Sequence, residues 1–269
     1  MSISRRALVA AASLALALGG VPAATASNTT ANGDDKARPT VVLVHGAFAD
    51  SSSWNGVVAK LQHDGYPVTS AANPLRDLNT DAAYVSAVLK SVPGPIVLVG
   101  HSYGGSVITN AVQGNPNVKA LVYVAAFAPD QGESANDIQA KFPGSTLGAA
   151  LEQIPLADGT VDLSVRQDLF PRQFAADAPL RDAQLAAVAQ RPVNAVVFGE
   201  PSGAPAWRSI RSYFLIPTAD VNIPPAAQEF MAGRAHGTVV IARGASHAVL
   251  LSQPVITTRL IEQAAKEMR

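Results

Sequence analysis

Ile96-Val97-Leu98-Val99-Gly100-His101-Ser102-Tyr103-Gly104-Gly105 is the stretch from which the rest of the chain can be read. Its opening run of aliphatic residues has the character of a strand buried on both faces. The run stops at a glycine-framed serine, and Gly100-His101-Ser102-Tyr103-Gly104 fits the G-x-S-x-G pattern of a nucleophile elbow. Glycine has a steric task in such a turn. It removes the Cβ atoms that would collide where the backbone reverses, and so leaves Ser102 Oγ clear of the chain. Ser106-Val107-Ile108-Thr109-Asn110-Ala111-Val112 follows with apolar residues at helical spacing, which completes the order strand, turn, helix.

The same alternation extends to both sides of the elbow. Before it, Thr40-Val41-Val42-Leu43-Val44 predicts a buried strand, Ser52 to Asp64 a helix stopped by Gly65, the region of Val68 a second strand, and Asp81 to Ser91 a helix closed by Pro93-Gly94-Pro95. After it come strands at Asn117 to Ala126, Ser212 to Ile216 and Thr238 to Ala242, with helices at Pro224 to Ala235 and Gln253 to Met268. Strands separated by helices predict an α/β fold with a mostly parallel sheet of about six strands, covered by helices on both faces. Between residues 129 and 208 this rhythm fails, with scattered prolines, short amphipathic pieces such as Asp182 to Gln190, and no clear strand alternation. That segment reads as a small, largely helical cap inserted into a core made of residues 40–128 and 209–269.

The chain of 269 residues is 48% hydrophobic and 15% charged, with 20 basic and 20 acidic residues, so it carries no electrostatic footprint for nucleic acid. Small neutral molecules are the expected partners. The N-terminus reads as an export signal over residues 1–26: Arg5-Arg6, an apolar stretch from Ala7 to Leu18 too short to span a bilayer, and Ala24-Thr25-Ala26 as a cleavage pattern. Ser4-Arg5-Arg6 leaves the Sec and twin-arginine routes both open. Cleavage after Ala26 removes two of the 20 basic residues and none of the 20 acidic ones, leaving an exported protein of net charge −2 with no stable membrane insertion. Residues 27–39 are polar and aperiodic, as in a flexible tail. With no cysteine, the chain has neither a disulfide framework nor a thiolate nucleophile. No metal spacing and no phosphate-binding glycine loop is evident, so no cofactor is expected.

A serine hydroxyl is a weak nucleophile at neutral pH and needs an adjacent base, itself held by a third group. Behind an elbow of this kind the partners sit in loops at the carboxyl ends of later strands, in the order serine, acid, histidine. Of the five histidines only His247, in Gly244-Ala245-Ser246-His247, lies just past the last strand. Asp220, in Thr218-Ala219-Asp220, is the matching acid, with Asp130 after the preceding strand as its rival. His45-Gly46-Ala47-Phe48 follows the first strand, and its turn can bring the Ala47 N–H beside the Tyr103 N–H as an oxyanion hole. His101 is confined by the elbow, and His63 and His236 fall at helix ends, where structural or solvated roles are expected. Phe48, Trp54 and Trp207 are candidates for a pocket wall, although isolated aromatics belong more often to a core.

With these four segments in order, and with Ile223-Pro224-Pro225 after Asp220, the chain resembles the α/β-hydrolase superfamily over nearly everything beyond residue 39. Within it the chain is most similar to the small-capped branch that holds plant hydroxynitrile lyases, plant methylesterases and bacterial carboxylesterases of the pyrethroid-hydrolase type. The resemblance implies a triad of Ser102, Asp220 and His247. It departs from the lyases at two positions, where Gly46 stands in place of a threonine and Ala248 in place of a lysine. Without that lysine no cation is available for departing cyanide, whereas everything needed for acyl transfer is present. The expectation is an exported serine esterase acting on small to medium hydrophobic esters. A receptor-like protein with negligible turnover, a cofactor-free haloperoxidase or perhydrolase, and a hydroxynitrile lyase are the alternatives.

Overall fold

A computed structural model describes residues 38–268; the export signal and most of the expected tail lie outside the described residues. The chain runs β1 (Thr40–Val44), α1 (Asn55–His63), β2 (Val68–Ala71), α2 (Leu78–Ser91), β3 (Ile96–His101), α3 (Tyr103–Ala111) and β4 (Val118–Val124). It continues through α4 (Ala135–Lys141), β5 (Leu151–Pro155), β6 (Val161–Val165), α5 (Phe170–Phe174), α6 (Leu180–Ala189) and β7 (Val193–Asn194). It closes with β8 (Ser212–Pro217), α7 (Pro225–Arg234), β9 (Thr238–Ala242), α8 (Val249–Ser252) and α9 (Pro254–Glu267).

Six strands form one sheet in the order β2-β1-β3-β4-β8-β9, every neighbouring pair parallel. Alternate side chains take opposite faces. Val42, Val44, Leu98 and Tyr123 join the core on the side of α2, α3 and α7, while Val41, Leu43, Val97 and Val99 join the core on the side of α1, α8 and α9. All six residues of β3 are buried, and each such aliphatic side chain contributes about 1.5–3 kcal/mol relative to exposure. The chain passes from β1 outward to β2 and then returns to the other side of β1 as β3, so strand order reverses between β1 and β3. Ligands of open α/β sheets bind beyond the carboxyl ends of strands at such a reversal. The register pairs Val44 with Gly100, so the loop after β1 and the elbow after β3 leave the sheet side by side.

Between β4 and β8 the structure differs from the sequence expectation. Besides three helices this segment holds a three-stranded antiparallel sheet, β5-β6-β7. Alternation failed to reveal it because β5 is exposed along most of its length and β6 has its polarity inverted: in Val161-Asp162-Leu163-Ser164-Val165, the polar Asp162 and Ser164 are buried. Asp162 is accommodated by a bidentate pair with Arg76, whose Nη1 and Nη2 donate to its carboxylate oxygens at 3.0 and 3.1 Å. That pair joins the cap sheet to the loop leading into α2.

Candidate active site

Ser102 sits between β3 and α3 with φ 54° and ψ −124°, a conformation sparsely populated by residues with a side chain. Such strain costs about 1–3 kcal/mol and is held in place by its surroundings. Those surroundings leave no room for side chains: a Cβ on Gly100 would lie 2.5 Å from the Gly104 carbonyl oxygen, and one on Gly104 would lie 2.6 Å from that of Val44. Close packing of α3 on the ends of β1 and β3 therefore sets the turn. Gly46 obeys the same constraint from the neighbouring loop, since a Cβ there would lie 2.7 Å from Ser102 Cβ and 2.8 Å from the His101 carbonyl oxygen.

His247 lies in the loop after β9, with Nε2 2.9 Å from Ser102 Oγ and Nδ1 2.8 Å from Asp220 Oδ2. A carboxylate can only accept, so Nδ1 carries the proton and Nε2 is left to accept from the serine hydroxyl. Asp220, in the turn after β8, is buried and fully engaged: its Oδ1 accepts the Asn222 and Ile223 backbone N–H groups at 2.8 and 3.0 Å, and its Oδ2 also accepts Gln228 Nε2 at 2.8 Å. The acid and histidine loops are bound to each other as well. The Ala219 N–H donates to the Ala245 carbonyl at 2.9 Å, and the Gly244 N–H donates to Thr218 Oγ1 at 2.8 Å.

The rival acid, Asp130, is instead paired with Arg208 at 2.6 Å. Ala47 is buried in the turn after β1, beside the elbow. Tyr103 is the first residue of α3, where backbone N–H groups have no intrahelical acceptor. Its hydroxyl donates to buried Asp81 at 2.9 Å, and burial is the main reason that this carboxyl lies above its usual range.

Two contributors, Gln228 and Phe174, were not singled out by sequence, and a third, His101, was expected only to be structural or solvated. Gln228 carries no local signal, because its position on α7 becomes meaningful only when the turn before it folds back. His101 ties its Nε2–H to the His247 carbonyl at 3.1 Å, with the two rings 4.9 Å apart. Desolvation first, and the neighbouring His247 second, hold His101 well below the usual histidine range, so it remains neutral. Phe174, at the end of α5, packs edge-on against His247 with ring centroids 4.8 Å apart.

A cavity of about 370 Å³ meets this cluster at His101 and Phe174 and is walled also by Phe48, Phe170, Leu185, Leu250 and Leu251. Asp50 and Asp182 are the charged residues of its lining. Asp50 is occupied by capping the turn Ser51–Trp54, accepting the Ser52 N–H at 2.8 Å. Ser102 and His247 are both nearly shut off from solvent beneath the cap. Of the aromatics weighed for a pocket, Phe48 lines the cavity, whereas Trp54 and Trp207 belong to the core. His63 lies exposed beside Asp64, and His236 follows the C-cap of α7 at φ 49°. Among the described residues no cluster of three histidine or acidic side chains is arranged to hold a metal ion, and no helix is long and apolar enough to cross a membrane.

The profile of the alpha/beta hydrolase family matches residues 41–259. An alpha/beta hydrolase of Aspergillus novofumigatus is 27% identical over 252 residues, covering 86% of this chain and 98% of the relative. An esterase of Oryza sativa subsp. japonica is 28% identical over 242 residues, covering 79% and 90%. Among solved structures, a pyrethroid hydrolase from Sphingobium faniae superposes with a TM-score of 0.69 at 25% identity, over 85% of this chain and 97% of that one.

Proposed function

Because the chain belongs to the alpha/beta hydrolase family, we propose that it is an exported serine esterase that cleaves small to medium hydrophobic carboxylic esters through an acyl-enzyme on Ser102. The observation that carries this reading is the continuous relay from Ser102 Oγ through His247 to Asp220, at 2.9 and 2.8 Å. In the first half-reaction Oγ attacks the ester carbonyl while its proton passes to Nε2, and Asp220 stabilises the imidazolium. The backbone N–H groups of Ala47 and Tyr103 receive the developing oxyanion. Collapse expels the alcohol, which takes the proton from Nε2. In the second half, water attacks the acyl carbonyl while His247 Nε2 accepts its proton, and collapse breaks the bond to Ser102 Oγ, which takes that proton back as the acid leaves.

Three further observations support the finer parts of this reading. The apolar cavity wall favours uncharged acyl or alcohol groups, which bind by desolvation. Gly46 packs against Ser102 with no space for a threonine side chain, which speaks for acyl transfer over cyanohydrin cleavage. Arg5-Arg6, the apolar run and Ala24-Thr25-Ala26 carry the case for export.

Hydrolysis of p-nitrophenyl butyrate by the purified protein tests the proposal, together with mass spectrometry after fluorophosphonate treatment. The adduct is expected on Ser102, and Ser102→Ala should lower kcat by at least about a thousandfold with folding intact. Labelling at another residue, or more than about a hundredth of the kcat surviving in Ser102→Ala, refutes the serine mechanism.

A further inference from the structure

A general base carried on a loop is only as well placed as the backbone on either side of it. The core restrains one side of the His247 loop through His101, and the cap restrains the other. The Ser246 N–H donates to Asp177 Oδ1 at 3.0 Å, and the Ser246 hydroxyl donates to the same oxygen. One residue past the histidine, the Ala248 N–H donates to the Phe174 carbonyl at 2.9 Å. Gln253 Nε2, where α9 begins, lies 3.3 Å from Asp177 Oδ2. Residues 174 to 177 thus hold backbone N–H groups both before and after His247, while the Phe174 ring packs on its imidazole. Desolvation opposes ionisation of Asp177, but the bonds from Ser246, Ser252 and Gln253 outweigh it and hold the carboxyl below its usual range. It is therefore a charged acceptor at neutral pH, and such bonds are about twice as strong as neutral ones.

We propose that Asp177 is a positioning residue for the general base: it fixes the 246–248 loop so that His247 Nε2 stays within hydrogen-bond reach of Ser102 Oγ. This rests on the esterase reading above. The cap then does more than shape the cavity, because lifting the 174–177 segment releases both restraints on that side of the loop. An enzyme with its cap displaced has its nucleophile intact and its base misplaced.

The test uses the full chain and p-nitrophenyl butyrate. Asp177→Ala should lower kcat about tenfold with KM within about twofold, since the loss falls on alignment rather than on binding. Asp177→Asn, whose amide oxygen still accepts from Ser246, should keep kcat within about threefold of wild type. Ser246→Ala, which removes one of the two Ser246 donors to Asp177 and leaves the backbone N–H in place, should lower kcat by about two- to fivefold, and adding it to Asp177→Ala should cost little more. Thermal melts of each variant accompany the assay; should Asp177→Ala not fold, the Asn variant and Ser246→Ala carry the comparison. Equal losses in the Ala and Asn variants, a change in KM alone, or Ser246→Ala indistinguishable from wild type overturns the role of Asp177. Fluorophosphonate labelling separates the two levels: a wild type that does not label at Ser102 refutes the esterase reading itself.

Discussion

Gly46 has the most exacting steric position in the site, although it carries no reactive group. A Cβ there must come within 2.8 Å of two atoms, one on the strained serine itself and one a backbone carbonyl that cannot rotate away. Gly46→Ala should therefore push the loop after β1 off the elbow, moving the Ala47 N–H from the position proposed for it as an oxyanion donor. Loss of one such donor costs about 10²–10³ in kcat. We expect a fall of that size with a modest change in melting temperature, and a variant within about threefold of wild type would show that the loop yields without moving its N–H. Much of the candidate site at this scale can be located in the chain: the elbow and the loops after late strands mark Ser102, His247 and Asp220, the three side chains that lie within hydrogen-bond reach of one another. What was hidden was support. Gln228, His101 and Phe174 act through contacts made only in three dimensions, at sequence separations of 8 residues for Gln228 to Asp220 and 146 for His101 to His247.

At the scale of elements, the parallel sheet was readable because strands buried on both faces must be apolar along most of their length, and β1, β3 and β8 carry polar side chains only at an end, at Thr40, His101 and Ser212. The cap sheet was not, because β6 buries polar Asp162 and Ser164 as well as apolar Val165, so its alternation does not separate an apolar face from a polar one. One local cue was present: Asp158-Gly159 between β5 and β6, with Gly159 at φ 85°, has the composition of a hairpin turn. The Arg76–Asp162 pair should be what holds this hairpin to the core. Arg76→Ala leaves a buried carboxylate without its bidentate partner, and each single removal should cost about 1–3 kcal/mol. The two changes share one interaction, so the double variant Arg76→Ala/Asp162→Ala should cost clearly less than their sum. Urea unfolding of the four proteins measures this, and additivity within about 0.5 kcal/mol would mean that the pair does not tie the hairpin down.

At the scale of the whole molecule, the site's buried histidines set how the fold responds to acid. Burial lowers His45 to about 4, and burial together with His247 keeps His101 well below the ordinary value of 6.5. Both are neutral when folded, so the unfolded chain binds their protons first. Their contribution to stability is present above pH 6.5 and is lost as pH falls from there towards the folded values. Asp81 has the opposite sign: its raised carboxyl favours the fold below the ordinary 3.8, and that contribution is lost as pH rises through its folded value. The carboxyls of Asp77, Asp137 and Asp177, held below their usual range mainly by hydrogen bonds, give way only beneath about 4, so they do not obscure the histidine window. Each neutral histidine contributes at most about 1.4 kcal/mol per pH unit, so unfolding free energy should drop by about 2–3 kcal/mol between pH 6 and 5. His101→Gln, which can still donate to the His247 carbonyl and takes no proton, should roughly halve that slope. Urea titrations at pH 7, 6 and 5 measure it; a flat profile in the wild type would mean that both imidazoles are charged within the fold, and an unchanged slope in the variant would move the effect off His101.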